Sequence, residues 1–504
     1  MNENNIDTIC ALSTVQGRSA IAVIRVSGPQ AIDITGKLFK PKKGKPLSET
    51  QGYRLRFGTI CAGDRVIDEV LVSVFHSPDS YTGENMAEIS CHGSFYIQQE
   101  ILMLLLNNGA RLAKAGEFSQ RAFLNGKMDL AQAEAVADLI ASENEASHRV
   151  ALQQMKGGFS KELSQMRTSL LEIVSLMELE LDFAEEDVEF ADRGRLKSLL
   201  DSVTAHISTL IDSFRLGNVI KNGIPVAIAG ATNTGKSTLL NLLLGEERAI
   251  VSDIHGTTRD YIEGQMNING VGFRFIDTAG IRETHETIEM IGIERTYEKI
   301  RGASVIILML DAERPEFFAQ SISQLATTAD CQNQKVIVLL NKTDRILDML
   351  YDSNLNSPTV YGSAFDSMSG EDSQTRYYDK IITDFTTEIH SLCTENKIEP
   401  VAVVPISAKA MDGIDLLKEA LLECRIDTSE DSYSTLVTNI RHFEALKDSK
   451  TALLRVSDGL NDAIPTDLLT QDIREALFHI GEIVGEINTE EILGNIFSKF
   501  CIGK

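Results

Sequence analysis

The chain has 504 residues, too many for one domain, and its 43% apolar fraction is ordinary for globular proteins. It carries 48 basic and 73 acidic side chains, a formal charge of −25, which argues against a general nucleic-acid-binding surface but leaves room for a local basic patch or a partner that supplies one. No run approaches the ~20 apolar residues of a membrane span, the first residues lack a signal-peptide pattern, and seven scattered cysteines fit a reducing cytoplasm with neither a disulfide framework nor a zinc site.

Residues 1–125 read as an α+β domain of modest size. Ala20-Ile-Ala-Val-Ile-Arg-Val26 and Val66-Ile-Asp-Glu-Val-Leu-Val-Ser-Val-Phe75 read as strands, and Phe95 to Asn108 as a helix stopped by Gly109. Arg25, Glu88 and Lys127 stand in or beside apolar or glycine-bearing stretches; taken alone, each reads as a surface or salt-bridge residue. Cys91-His92 has no second pair at metal-ligand spacing.

Residues 126–221 turn helical. Asp129-Leu-Ala-Gln-Ala-Glu-Ala135 opens a run of helix formers, and Leu200, Val203, Ile207, Leu210, Ile211 and Phe214 recur as one helical face. The acidic run Glu178 to Glu189 reads as a solvated face. Residues 429–504 are helical again, with one stripe from Leu469, Ile473, Leu477, Ile480 and Val484 and another from Ile492, Ile496 and Phe500. Helices on both flanks of residues 222–428 predict one bundle with an α/β domain inserted into it.

Residues 222–428 hold the nucleotide chemistry. Val226-Ala-Ile-Ala229 reads as a buried strand and Thr238-Leu-Leu-Asn-Leu-Leu-Leu244 as a helix. Gly230-Ala-Thr-Asn-Thr-Gly-Lys-Ser237 between them is a P-loop, whose backbone N–H groups and helix N-terminus cradle phosphates. Lys236 is expected on the β- and γ-phosphates and Ser237 on Mg²⁺, with Asn233, Thr234, Gly235 and Thr238 completing the cradle. Gly256-Thr-Thr-Arg-Asp260 stands where switch I belongs, and Thr258 is the natural second Mg²⁺ ligand. Asp277-Thr-Ala-Gly280 follows the strand Val271 to Ile276; Asp277 is expected to hold Mg²⁺ through water, and the Gly280 N–H to face the γ-phosphate.

The base is read further on. Asn341-Lys-Thr-Asp344 follows the strand Lys335 to Leu340, and the Asp344 carboxylate can accept from guanine N1–H and its exocyclic amine, donors that adenine lacks in that arrangement. Ser407-Ala-Lys409 follows Val401 to Ile406 and resembles the loop whose backbone N–H meets guanine O6. Asp352 to Arg376 reads as a polar, partly mobile surface insertion. Five short motifs in this order define a GTP-binding G domain. Ile281 follows Asp277-Thr-Ala-Gly280 where many GTPases carry a water-orienting Gln, and no arginine finger is evident in cis, so the developing charge needs another cation.

Outside the G-domain motifs the chain carries Asp7-Thr-Ile9, Arg25-Val-Ser-Gly28, Tyr81-Thr-Gly-Glu84, the run Gly116 to Lys127, Asp129 to Ala135, and Cys501-Ile-Gly-Lys504 at the end. With these, nearly the full chain resembles the tRNA modification GTPases of the MnmE (TrmE) type. It implies four segments: 1–125, a domain similar to tetrahydrofolate-binding domains that also makes a homodimer; 126–221 and 429–504, the two parts of a helical domain; and 222–428, the inserted G domain. It implies that the chain and an FAD-dependent partner protein form a heterotetramer and add a (carboxymethyl)aminomethyl group to carbon 5 of the wobble uridine of certain tRNAs. The carbon would come from a folate, 5-formyl or 5,10-methylene tetrahydrofolate. By position, Arg25, Glu88, Lys127 and Lys504 match the folate contacts, and Cys501 would lie nearby.

The family replaces the arginine finger with K⁺ as G domains meet across the dimer. Asn233 matches its P-loop K⁺ ligand; Ser252, Ile254 and Thr257 match the loop positions that complete the site, with Asp253, His255 and Gly256 between them. Glu289 matches the water-orienting carboxylate, and with Lys236 it makes the catalytic pair; Thr278 and Ala279 join the nucleotide shell. The sequence departs at Thr232, where Pro is usual, at Ser252, where Thr is common, and in a longer segment between Asp344 and Ser407. A ribosome-assembly or regulatory GTPase is the competing class, and such proteins usually add a basic RNA-binding module.

Overall fold

A computed structural model describes residues 7–182, 193–247, 263–276, 300–331, 333–346, 371–425, 436–462, 464, 466–486, 490–498, 500 and 502–503. The contacts gather into two compact units, one of residues 1–141, 150–214 and 433–504, the other of residues 142–149 and 215–432.

The first unit opens with a seven-stranded sheet: β1 (Thr8–Leu12), β2 (Ser19–Ser27), β3 (Phe39–Pro41), β4 (Arg54–Ala62), β5 (Arg65–Phe75), β6 (Met86–Gly93) and β7 (Ala110–Leu112). The strand order is β3-β4-β5-β6-β2-β1-β7, antiparallel except for the β1–β7 pair. Alternation sorts each strand into two faces. Ala22, Ile24 and Val26 of β2, with Val70, Val72 and Val74 of β5, pack under the helices Ala31–Leu38 and Phe95–Asn107. Arg25 and Glu88 therefore fall on the opposite face, directly across the β2–β6 ladder from each other.

The helical part of this unit has one core made by both flanks of the sequence. Leu163, Leu170, Ile173, Leu200, Val203 and Ile207 meet Leu446, Leu453, Leu469, Ile473 and Ile480 in it. The Leu469-to-Val484 stripe is the buried face of the helix Thr466–Val484. The last stripe differs from expectation. The final helix ends at Phe497, and the seam it buries is Leu493 and Phe497 with Phe500 beyond the helix, while Ile492 and Ile496 flank it. Gly116 explains the shift: its φ is 65°, and a Cβ there would stand 2.5 Å from Phe497 O, so the backbone docks at Phe497 and turns that residue inward.

The helix Leu130–Ala141 starts on a reciprocal cap, with Gln132 N donating to Asp129 Oδ1 (2.8 Å) and Asp129 N to Gln132 Oε1 (3.0 Å). One turn on, buried Glu134 is tied to the helix Ile440–Asn461 by the Arg441 guanidinium (2.8 Å) and by His442 Nε2 (2.7 Å). Burial alone would push the Glu134 carboxyl up, but His442 and Arg441 outweigh it and hold it down at about 2. A carboxyl depressed in the fold stabilises above its unfolded pKa and loses that contribution as pH falls toward the folded value. Acid should therefore remove roughly 3 kcal/mol between about pH 5 and pH 2. Acid titrations followed by circular dichroism should find the Glu134→Gln variant less stable at neutral pH and less acid-sensitive; parallel curves would refute the assignment.

The second unit holds a six-stranded sheet: β8 (Ile224–Gly230), β9 (Glu263–Ile268), β10 (Val271–Ile276), β11 (Val305–Asp311), β12 (Lys335–Asn341) and β13 (Pro400–Pro405), in the order β13-β12-β11-β8-β10-β9. All pairs but β9–β10 are parallel. Both faces are covered, so its strands are continuous apolar runs. Val305, Ile307 and Met309 enter one core, and Ile306, Leu308 and Leu310 enter the other. Of the polar segment Asp352 to Arg376, residues 352–370 lie outside the described residues, and Glu371 to Arg376 begin the helix Glu371–Glu395, whose Ile381, Phe385 and Ile389 are buried in the core against the sheet. Among the described residues no helix is long and apolar enough to cross a membrane.

Candidate nucleotide-binding site and N-terminal cluster

The loops after β8, β12 and β13 share the carboxyl end of the parallel sheet, where open α/β folds bind ligands. The loop after β8 needs unusual backbone at three positions: φ is 146° at Gly230, 65° at Asn233 and 101° at Gly235. A Cβ would lie 2.5 Å from Met309 O at Gly230 and 2.3 Å from Asn341 Nδ2 at Gly235, so only glycine fits at both. Thr234 Oγ1 closes the turn onto Ala231 O (2.9 Å). Lys236 Nζ arches over the loop to Gly230 O (2.8 Å) and Ala231 O (2.6 Å). Ser237 and Thr238 are exposed on the first turn of the helix Lys236–Glu247.

Asn341 joins this loop to the base side. Its Nδ2 donates to Thr234 O (2.7 Å) while its Oδ1 accepts from Ala408 N (3.0 Å), and the residue is 2% exposed. Lys342, at φ 66°, turns its ammonium onto Asp311 Oδ2 (2.6 Å) and Glu313 Oε2 (3.1 Å). Burial works against that charge, but the two carboxylates outweigh it and raise the Lys342 pKa. Thr343 Oγ1 donates to Ile406 O (3.0 Å), and the Ser407 hydroxyl donates to Asp344 Oδ1 (2.7 Å). Asp344 is exposed, with one carboxylate oxygen braced by Ser407. In the last loop Ala408 N is taken by Asn341 and Ala410 N by Ser407 Oγ, and Lys409 N bonds no group among the described residues.

Asn233, Thr234, Gly235, Lys236, Ser237 and Thr238 thus share the carboxyl end of the sheet with Asn341, Lys342, Thr343, Asp344, Ser407, Ala408 and Lys409. The remaining expected residues lie outside the described residues: Ser252, Asp253, Ile254, His255, Gly256, Thr257, Thr258, Asp277, Thr278, Ala279, Gly280, Glu289 and, at the chain end, Cys501 and Lys504. Ser237 and Asn233 alone represent the two metal-ligand sets. The Ser237 hydroxyl bonds no group among the described residues, and a hydroxyl oxygen suits a hard cation.

On the N-terminal sheet, Arg25 Nε donates to Glu88 Oε1 (3.0 Å) and Arg25 Nη1 to Gly503 O (3.4 Å). Its guanidinium stands over the rings of Tyr81 (5.0 Å) and Phe118 (5.6 Å). The chain end is tied in again by Ser13 Oγ to Gly503 O (3.1 Å) and by the Ala115–Ile502 bridge. Lys127 donates to Pro78 O (3.0 Å) on the turn that carries Tyr81. Arg25, Glu88 and Gly503 therefore meet, with Lys127 on the neighbouring turn.

Sequence reasoning missed the support below them. Arg121, 3% exposed, bonds Asp7 Oδ1 (2.6 Å), Glu84 Oε1 (3.2 Å) and Glu117 Oε1 (3.1 Å), and Arg111 bonds Asp7 (2.7 Å) and Glu117 (2.6 Å). The available signal was Glu117 and Arg121 four apart on the inner side of the helix Glu117–Leu124, next to buried Phe118.

A parallel sheet with a P-loop, an Asn-Lys-Thr-Asp base loop and a Ser-Ala-Lys loop at one end defines a P-loop GTPase of the GTP-binding class, here in a chain that also carries an α+β domain and a helical core. Residues 8–127 match the family described as the GTP-binding protein TrmE N-terminus, and residues 130–501 the one described as the MnmE helical domain. The chain is 50% identical over 506 aligned residues to the tRNA modification GTPase MnmE of Bacteroides fragilis, covering 99% of this chain and 100% of that protein. It is 49% identical over 508 to that of Christiangramia forsetii, with 99% of each covered, and 47% over 502 to that of Flavobacterium psychrophilum, again with 99% of each. The chain belongs to the MnmE family of tRNA modification GTPases.

Proposed function

We propose that this chain hydrolyses GTP with K⁺ in place of an arginine finger and, as a homodimer with an FAD-dependent partner, installs a (carboxymethyl)aminomethyl group on carbon 5 of tRNA wobble uridine using a folate one-carbon unit. The observation that carries the reading is the Asn341 brace, which locks the phosphate loop and the base loop together at the carboxyl end of the sheet, in a chain 50% identical to a tRNA modification GTPase MnmE over that protein's whole length. Asp344 reads guanine, with Lys409 N–H directed at O6. Lys236 leaves the loop carbonyls for the phosphates. Mg²⁺ belongs to Ser237 and Thr258, and K⁺ to Asn233, Ser252, Ile254 and Thr257; each ion would supply positive charge where the transition state gathers negative charge. Glu289 orients the attacking water.

The folate reading draws support from chemistry in one place. Arg25 and Lys127 offer cations for a glutamate tail, Glu88 offers an acceptor for pterin N–H groups, and Tyr81 and Phe118 offer flat apolar surface. The compartment that fits is the cytoplasm.

GTP hydrolysis should run at least about tenfold faster in KCl than in NaCl at equal ionic strength, and Asn233→Ala should remove the difference. Equal rates in both salts would refute the cation mechanism. Calorimetric titration with a tetrahydrofolate tests the second site separately: Arg25→Ala should lose binding while GTP hydrolysis stays unchanged.

A further inference from the structure

In this acidic chain one surface reverses the sign. Residues 40–56 carry Lys40, Lys42, Lys43, Lys45, Arg54 and Arg56 against a single acid, Glu49, in a protein of net charge −25. They form the β3–β4 edge of the N-terminal sheet. The ridge is built. Arg56 Nη2 donates to Lys43 O (3.3 Å) and Lys45 O (2.6 Å), clasping the loop that displays both lysines. Gly44 allows this: its φ is 93°, and a Cβ there would stand 2.7 Å from that same Nη2. Lys45 faces Glu49 at 3.1 Å and Lys42 faces Glu69 at 3.9 Å, all well exposed, whereas Lys43 and Arg54 make no ion pair among the described residues. Protecting an edge strand needs charge on the strand itself, which Lys40 supplies; it does not account for lysines on the loop and arginines on β4.

Exposed rings stand beside the lysines, on the face of β4 opposite to Arg54 and Arg56, which pair with Val74 and Val72. Tyr53 is 70% exposed, Leu55 58% and Phe57 43%, and the Lys42 ammonium stands 5.0 Å from the Phe57 ring centre. Cations beside exposed rings suit phosphates together with unpaired bases. The register then points along the sheet. Leu55 pairs with Ser73, Ser73 with Glu88, and Glu88 with Arg25, so one row runs from the ridge to the proposed folate cluster. Three strand spacings make that roughly 14 Å, on one face of the sheet.

We infer that this ridge is where the tRNA backbone docks, with unpaired nucleotides on Tyr53 and Phe57, delivering the uridine along that row toward Arg25 and Glu88. The inference rests on the tRNA and folate reading above. A polyanion is the partner that a cationic ridge on an anionic protein selects, since the rest of the surface repels it and steers it there.

The test uses the full chain and an unmodified tRNA transcript with uridine at the wobble position, titrated by fluorescence anisotropy across a salt series. Lys42→Glu/Lys43→Glu/Lys45→Glu should weaken binding more than tenfold at about 0.1 M salt and reduce the slope of log affinity against log salt by about 2 to 3. The milder Lys43→Gln/Lys45→Gln should shift both in the same direction by less. The control Lys161→Glu/Lys397→Glu/Lys447→Glu, of equal charge change on other surfaces, should shift neither comparably. GTP hydrolysis without tRNA and the size of the particle should match wild type. Unchanged affinity and slope overturn the ridge, and so does a loss that comes with dissociation into monomers, because the ridge would then be a subunit contact. If wild type itself binds no tRNA, the functional reading fails with it.

Discussion

Asp344→Asn should cost about 10³-fold or more in GTP affinity and give the chain a new preference for xanthosine triphosphate. Guanine presents two donors side by side, N1–H and the exocyclic amine, and a carboxylate accepts from both. The Asn amide accepts through one atom and donates through the other, so guanine's amine meets an N–H and both lose a partner. Xanthine carries a carbonyl where guanine carries that amine, and the amide matches it. The local structure should survive. Ser407 Oγ, which donates to Asp344 Oδ1, can turn and accept from an amide, and Asn341 still holds both loops through Thr234 O and Ala408 N. Equilibrium titration with fluorescent GTP, GDP and xanthosine analogues reads the outcome. A variant that still binds GTP within about tenfold of wild type would mean that Asp344 does not read the base.

The split between what the sequence announced and what it withheld follows contact range. Gly230-to-Ser237 is legible because a P-loop is made by consecutive residues whose spacing is its geometry. Asn341-Lys-Thr-Asp344 and Ser407-Ala-Lys409 are legible as words, but not the fact that Asn341 spans to Thr234 and Ala408, which depends on the order β13-β12-β11-β8. Arg25 and Glu88 look like unrelated charges until the β2–β6 ladder sets them side by side 63 residues apart. The basic ridge was hidden by a net charge summed over the whole chain, which says nothing about where the exceptions gather. The helical stripes were readable by period alone where the helix continues. At Phe500 the period fails because the helix stops at Phe497 and Gly116, from a distant segment, sets which side turns inward.

Arg121→Met should destabilise the N-terminal domain by about 3–5 kcal/mol, since it removes one partner of a buried ion cluster and leaves the others. Asp7, Glu84 and Glu117 converge on that guanidinium, and Ser27 Oγ adds a bond to Glu84 (2.8 Å). The cluster ties the start of β1, the turn carrying Tyr81 and the helix carrying Phe118, the two rings on which Arg25 rests. The loss should therefore appear at the proposed folate cluster first, as faster hydrogen exchange in β1, β2 and residues 81–84, while exchange in β8 to β13 stays as in wild type. Acid gives an independent sign. Burial raises the Asp7 and Glu117 carboxyls, but their arginine partners outweigh it and hold both below their ordinary values of 3.8 and 4.5. Each contributes stability above its ordinary value and loses it as pH falls through the depressed one. The gap between wild type and Arg121→Met should thus be widest near neutral pH and narrow on acidification below about pH 4. A gap that is constant with pH would mean that Arg121 acts through its apolar stem rather than its charge. A loss under about 1 kcal/mol would mean that Arg111, which also reaches Asp7 and Glu117, carries the cluster alone.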